Sequence, residues 1–190
     1  MSKLNINNEM EKAKKYRKNG NVDKAIKIYE NIIVKFPKNS RVNQALNEIK
    51  TNTTIKENLD LVINLFNKKM FLEANNLGEK LLVTYPNNYL LFNILAAVNC
   101  ERNFVDKAIH YYKKSIEINP NYAPAHSNLG ITYKAIEKYD LALKCFDVAI
   151  KLDANFSEGY NNIGLILKQF NRPEEALKYF ITAFEKDNKN

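Results

Sequence analysis

The chain has 190 residues, 45% hydrophobic and 26% charged, with a formal net charge of +8. That apolar content belongs to a folded chain and excludes a disordered one. Two cysteines, Cys100 and Cys145, lie outside any CxxC pair and read as free thiols in a reducing compartment, and the opening MSKLNINNEMEKAKKYRKNG lacks a secretory apolar stretch. No run is long enough to span a bilayer, so the expected location is cytoplasmic.

A 34-residue register organises nearly the whole chain. One alanine recurs at its position 20, as Ala25, Ala74, Ala108, Ala142 and Ala176. The loop proline at position 32 appears as Pro37, Pro86 and Pro120, then gives way to Ala154 and Asn188. A period of this length is the mark of a helical solenoid, in which each unit packs on its neighbours.

The first copy, Ile6–Asn39, is polar in its first helix, where Glu9 and Lys12 replace apolar residues. Tyr16, Gly20, Ala25, Tyr29 and Ile32 restore the pattern. A terminal repeat is expected to carry such a polar outer face. Residues 1–54 hold 12 basic and 5 acidic side chains, while the remainder holds 17 and 16. The excess sits on Lys12, Lys14, Lys15, Arg17, Lys18, Lys24 and Lys27. The plain reading is a solvated lysine-rich surface. A patch for an acidic partner, an anionic membrane or nucleic acid is the alternative. Neither an RNA-binding sheet motif nor a zinc-finger spacing accompanies it, so nucleic acid is not an expected partner.

Fifteen extra residues, SRVNQALNEIKTNTT, separate Asn39 from Ile55. Val42, Ala45, Leu46 and Ile49 follow helical spacing, which predicts a short amphipathic helix closing the first hairpin. TNTT is expected to break it, with Thr54 and Glu57 forming a capping box for the next helix. The resulting division is a basic N-terminal unit over 1–50, a linker over 51–54, and four tandem repeats over 55–190. These repeats are 55–88, 89–122, 123–156 and 157–190.

In 55–88, Leu61, Val62, Leu65, Ala74 and Leu81 keep the register, but Gly78 replaces an aromatic and predicts a thinner contact. In 89–122 the register falls on Phe92, Leu95, Ala96, Ala108, Tyr112 and Ser115. In 123–156 the first helix is expected from Pro124, which suits a first turn, to Ile136. Its glycine, Gly130, sits mid-helix at a cost of about 1 kcal/mol. That cost is reasonable where a neighbouring helix needs the space, and Gly164 repeats it one copy later. The turn is Glu137-Lys138-Tyr139, and the second helix is expected to start near Asp140 with its carboxylate as cap. Small Ala142 and large Phe146 lie on one face of it. The last copy repeats the pattern with Tyr160, Ile163, Leu167, Ala176, Phe180 and Ala183.

These residues resemble the tetratricopeptide repeat pattern: an aromatic at position 4, Leu-Gly at 7 and 8, Tyr at 11, Ala at 20, an aromatic at 24, Ala at 27 and Pro at 32. The resemblance implies an all-α fold, a right-handed superhelical solenoid of antiparallel helix pairs. It also implies a protein-protein interaction scaffold that binds a peptide or protein segment in a concave groove lined by the first helices.

The family's inward positions fall here on Asn93, Cys100, Ser127, Asn128, Ile131, Lys134, Asn162, Leu165 and Lys168, among others. Asn128 and Asn162 share a position one repeat apart. They resemble the asparagine ladder of O-linked N-acetylglucosamine transferases, since an amide can pair with a peptide backbone through donor and acceptor alike. Composition offers a plainer account, for asparagine occurs 29 times. Lys134 and Lys168 form a parallel row that suits acidic residues. The family's clamp for a C-terminal carboxylate is matched only at Asn128, which argues against a chaperone-tail receptor.

No catalytic, cofactor or metal site is expected. HExxH, Walker, GxSxG and paired-carboxylate arrangements are missing from the sequence. His126 reads as a partly buried ring in a hairpin contact, and Cys100 has no adjacent histidine to activate it. The alternative function is a substrate-recruiting or positioning N-terminal module of a larger bacterial sulfotransferase or glycosyltransferase. The apolar residues of the last helix, Ile181 and Phe184 above all, predict a surface for a weak homodimer.

Overall fold

The computed structural model describes residues 3–187. Ten α-helices and no strand occur among them. They are α1 (Lys3–Lys18), α2 (Val22–Lys35), α3 (Ser40–Asn67), α4 (Phe71–Thr84) and α5 (Tyr89–Glu101), followed by α6 (Val105–Ile118), α7 (Ala123–Ala135), α8 (Tyr139–Leu152), α9 (Ser157–Gln169) and α10 (Pro173–Asp187). The helices pair as antiparallel hairpins, as expected of a tetratricopeptide-type solenoid.

Every hairpin turns in the same way. The residue at register position 15 has a left-handed backbone: Gly20 (φ 77), Lys69 (φ 60), Asn103 (φ 62), Glu137 (φ 59) and Asn171 (φ 57). The following amide then bonds back to the carbonyl five residues earlier: Asn21 to Tyr16, Met70 to Leu65, Phe104 to Asn99, Lys138 to Tyr133 and Arg172 to Leu167, at 2.8–2.9 Å. This helix-ending bond satisfies a carbonyl left free by the last turn.

The chain divides into two compact units, Met1–Asp60 and Leu61–Asn190. In the first, Ala13, Ala25, Tyr29, Ile32, Val42, Leu46 and Ile49 form one buried cluster. The amphipathic spacing read over 42–49 thus packs against α1 and α2. The expected break at 51–54 does not occur, because α3 runs unbroken through it. The Thr53 and Thr54 hydroxyls donate to the carbonyls of Ile49 and Lys50, each 2.9 Å away. Thr54 therefore bonds backwards within a helix instead of capping a new one.

In the second unit, α5, α7 and α9 each pack on the second helix of their own hairpin and on the second helix of the preceding hairpin. The small register residues sit where helices cross: Ala74, Ala108 and Ala142 are 0% exposed and Ala176 is 1%. A Cβ on Gly130 would lie 2.7 Å from Phe146 Cε1, and one on Gly164 would lie 2.6 Å from Phe180 Cε1. At Gly78, where a thinner contact is expected, a residue of the next repeat fills the space. The Leu95 side chain moves in, 2.5 Å from where a Gly78 Cβ would stand. Pro124 lies in the first turn of α7, but α8 begins at Tyr139 with Lys138 as its cap residue and no side-chain cap bond. Asp140 is therefore inside the first turn and supports the helix by charge alone.

Candidate groove on the first helices

Helices α5, α7 and α9 lie side by side, α7 touching both of the others. Asn88 starts α5 by accepting the Leu91 amide at 2.9 Å, a polar cap at register position 34 that fixes the helix entry. The residues expected to face inward separate into three groups by environment.

The first group bridges α5 and α7. Asn128 Nδ2 donates to Asn93 Oδ1 at 3.2 Å, and both side chains are half-buried. Thr132 donates its hydroxyl to the Asn128 carbonyl at 2.8 Å, and Cys100 Sγ lies 3.4 Å from Thr132 Oγ1. The second group bridges α7 and α9. Lys134 Nζ donates to Asn162 Oδ1 at 2.6 Å, while Asn162 Nδ2 donates to the Glu158 carbonyl at 3.0 Å. Asn162 is 6% exposed. Its amide is therefore spent inside the fold, and the equivalence of Asn128 and Asn162 in sequence does not make one open ladder. The third group is the apolar and cationic surface between and beyond these bridges: Ile131 half-buried, Leu165 and Lys168 exposed. Ser127, also expected to face inward, is fully buried, its hydroxyl without a partner.

Two polar features lie outside the sequence expectations. Asn99 is fully buried and donates to Asn75 Oδ1 at 3.0 Å and to the Leu95 carbonyl at 2.8 Å, joining α4 to α5. Asn99 stands where the repeat usually places Tyr, and that substitution was the available signal. Glu79 of α4 accepts from Lys107 Nζ at 2.6 Å and Tyr111 Oη at 2.7 Å, both on α6. Burial alone would raise the Glu79 carboxyl, but these two hydrogen bonds outweigh it and hold the group below the usual carboxylate range. Tyr111 is pushed up, first by burial and then by Glu79. Only long-range pairing reveals this cluster, and a single sequence does not show pairing.

Two other chemistry-bearing residues have packing or loop-tying surroundings. Burial pushes the Cys145 thiol up to about 11, which keeps it protonated at neutral pH. His126 sits 2.9 Å from the Pro120 carbonyl through Nε2, tying a loop to α7. Among the described residues no group of three or more His, Cys, Asp or Glu side chains could hold a metal ion, and no helix is long and apolar enough to cross a membrane.

Family patterns described as tetratricopeptide repeat match residues 4–39, 111–144 and 157–190, together just over half of the sequence. The chain belongs to the tetratricopeptide repeat family. Solved structures agree in fold. The crystal structure of MamA superposes with a TM-score of 0.62 at 24% identity, covering 93% of this chain and 95% of that one. A thermophilic tetratricopeptide repeat protein of Thermus thermophilus gives 0.63 at 17% identity, covering 97% and 93%. In sequence, 42 residues are 38% identical to a probable UDP-N-acetylglucosamine–peptide N-acetylglucosaminyltransferase, SPINDLY, of Oryza sativa subsp. japonica. That stretch is 22% of this chain and 4% of the rice protein.

Proposed function

We propose that this tetratricopeptide repeat chain is a cytoplasmic, non-enzymatic scaffold whose first helices bind an extended peptide or protein segment. The groove comprises Asn93, Asn128, Ile131, Lys134, Leu165 and Lys168, with Asn162 held beneath Lys134 as its support. The observation that carries this reading is the Asn93–Asn128 bridge. That bond uses one amide atom of each residue and leaves Asn93 Nδ2 as a donor and Asn128 Oδ1 as an acceptor on two half-buried side chains. Such a pair matches the C=O and N–H that any extended segment offers. Ile131 and Leu165 add apolar contact around it. Replacing Asn93 and Asn128 with alanine is expected to weaken a groove peptide at least tenfold while the melting curve stays within a few degrees. Unchanged affinity would end this reading. Cys100 and Cys145, both free, fit the reducing location.

A second surface supports weak self-association. On α10, Leu177, Ile181 and Phe184 are 58%, 50% and 69% exposed and recur at helical spacing. Phe184 also lines an open cleft of about 420 Å³ edged by Ser157, Glu158, Asn161, Phe180 and Asp187. A second copy is the proposed occupant. Light scattering should show mass rising with concentration, and Phe184→Asp should hold the chain monomeric. A parent that is monomeric at every concentration would remove this contact.

The alternative function, recruitment of substrate for an attached sulfotransferase or glycosyltransferase, is supported by the short match to the rice transferase. A reading frame that continues into a catalytic domain would favour it. A frame without one, with no transferase whose turnover this chain raises, would argue against it.

A further inference from the structure

We propose that the groove ligand is an acidic peptide segment, one of whose carboxylates is anchored on Lys134; this rests on the groove reading above. Five lysines of the described residues donate a side-chain hydrogen bond. Four of them, Lys14, Lys50, Lys107 and Lys114, donate to a glutamate and are neutralised there. Lys134 differs, because its partner is the neutral amide of Asn162 at 2.6 Å. The amide fixes the direction of the ammonium without cancelling its charge. Asn162 is itself locked, 6% exposed and bonded to the Glu158 carbonyl. Among the described residues no carboxylate lies within ion-pair distance of Lys134. A half-buried, oriented cation with spare N–H groups is an incomplete ion pair, and a carboxylate completes it with a charge-assisted bond.

The surroundings narrow the ligand further. Asn128, on the same helix as Lys134, supplies the backbone acceptor described above. Lys168, at the same register position on α9 and exposed, gives a longer acidic run a second, weaker contact. Glu101 and Glu158, both exposed, are also at inward register positions of the groove helices. The positive charge is therefore local, unlike the lysine-rich surface of α1 and α2. That geometry selects a segment with discrete carboxylates over a uniformly charged polyanion such as nucleic acid, which gains from many spread cations.

Fluorescence anisotropy on the full chain tests this with a labelled, end-capped peptide of Asp, Glu, Ser and Gly, and its Asn/Gln counterpart. The acidic peptide should bind at least tenfold tighter than the amide version. Lys134→Met should weaken it roughly ten- to a hundredfold, the range expected for a lost bond to a charged group. Asn162→Asp gives Lys134 an internal carboxylate at the loss of the bond to the Glu158 carbonyl, so binding should fall similarly while the melting temperature stays within a few degrees. That second variant separates lost recognition from lost folding. Substituting Lys12 and Lys15 of α1 with Gln should change affinity less than twofold. Failure of both peptides to bind would overturn the proposal. So would parental affinity in the Lys134 and Asn162 variants, or a loss at Lys12 and Lys15 as large as that at Lys134. Equal binding of the two peptides, with affinity lost in Asn128→Ala, would overturn the acidic preference and leave the groove reading standing.

Discussion

At the scale of single residues, Gly130 is small because the Phe146 ring occupies the space its Cβ would need. Gly130→Ala gains helix propensity of about 1 kcal/mol but must displace that ring. Overpacking of this kind costs about 1–3 kcal/mol, so the variant should unfold at lower urea than the parent. Combining it with Phe146→Leu should recover much of the loss, and a double-mutant cycle measures the recovery. The Glu79 cluster makes a different prediction. Its carboxyl is held below the ordinary value of 4.5, so its contribution is full above that value and drains as the pH falls through the lowered native value. Glu79→Gln should therefore cost stability at pH 7, about 1 kcal/mol or less for a partly exposed pair, and nothing measurable at pH 2. Urea titrations of parent and variant at both values check the sign.

At the scale of elements, the hairpin turns were only partly legible in the sequence. The alanine and glycine positions showed where helices cross, since their small size has no other use at a fixed interval. The turn residue at position 15 has no such signature. Gly20, Lys69, Asn103, Glu137 and Asn171 share a backbone and not a chemistry. A left-handed conformation costs an ordinary side chain about 1–2 kcal/mol, and glycine avoids it. Glu137→Gly should thus stabilise the chain by about 0.5–1 kcal/mol after the greater freedom of the unfolded glycine is subtracted. Thermal melts decide it, and a lower melting point would show that the Glu137 turn carries no strain. The helix through 51–54 is hidden in the sequence for the opposite reason. Threonine and asparagine usually compete with a helix by bonding their own backbone. Here Thr53 and Thr54 bond the preceding turn instead, and Ile49 and Val62 on either side are buried.

At the scale of the whole molecule, the repeat period carried the architecture, because a register met five times leaves one way to bury its apolar face. The side chains proposed for the groove were legible as register positions but not as bonds. Asn128 and Asn162 are equivalent in the register, yet one bridges back to Asn93 and the other is locked beneath Lys134. The long reach of the Lys134 side chain across to α9 creates this difference, and register alone does not record reach. The central claim is that α5, α7 and α9 form one peptide-binding face read through Asn93 and Asn128. Panning a random dodecapeptide library on the chain, then measuring the selected peptide by isothermal titration, tests it most directly. The account predicts micromolar binding that falls at least tenfold in the Asn93→Ala, Asn128→Ala double variant, with the melting curve preserved. Equal affinity of parent and double variant for the selected peptide would contradict it.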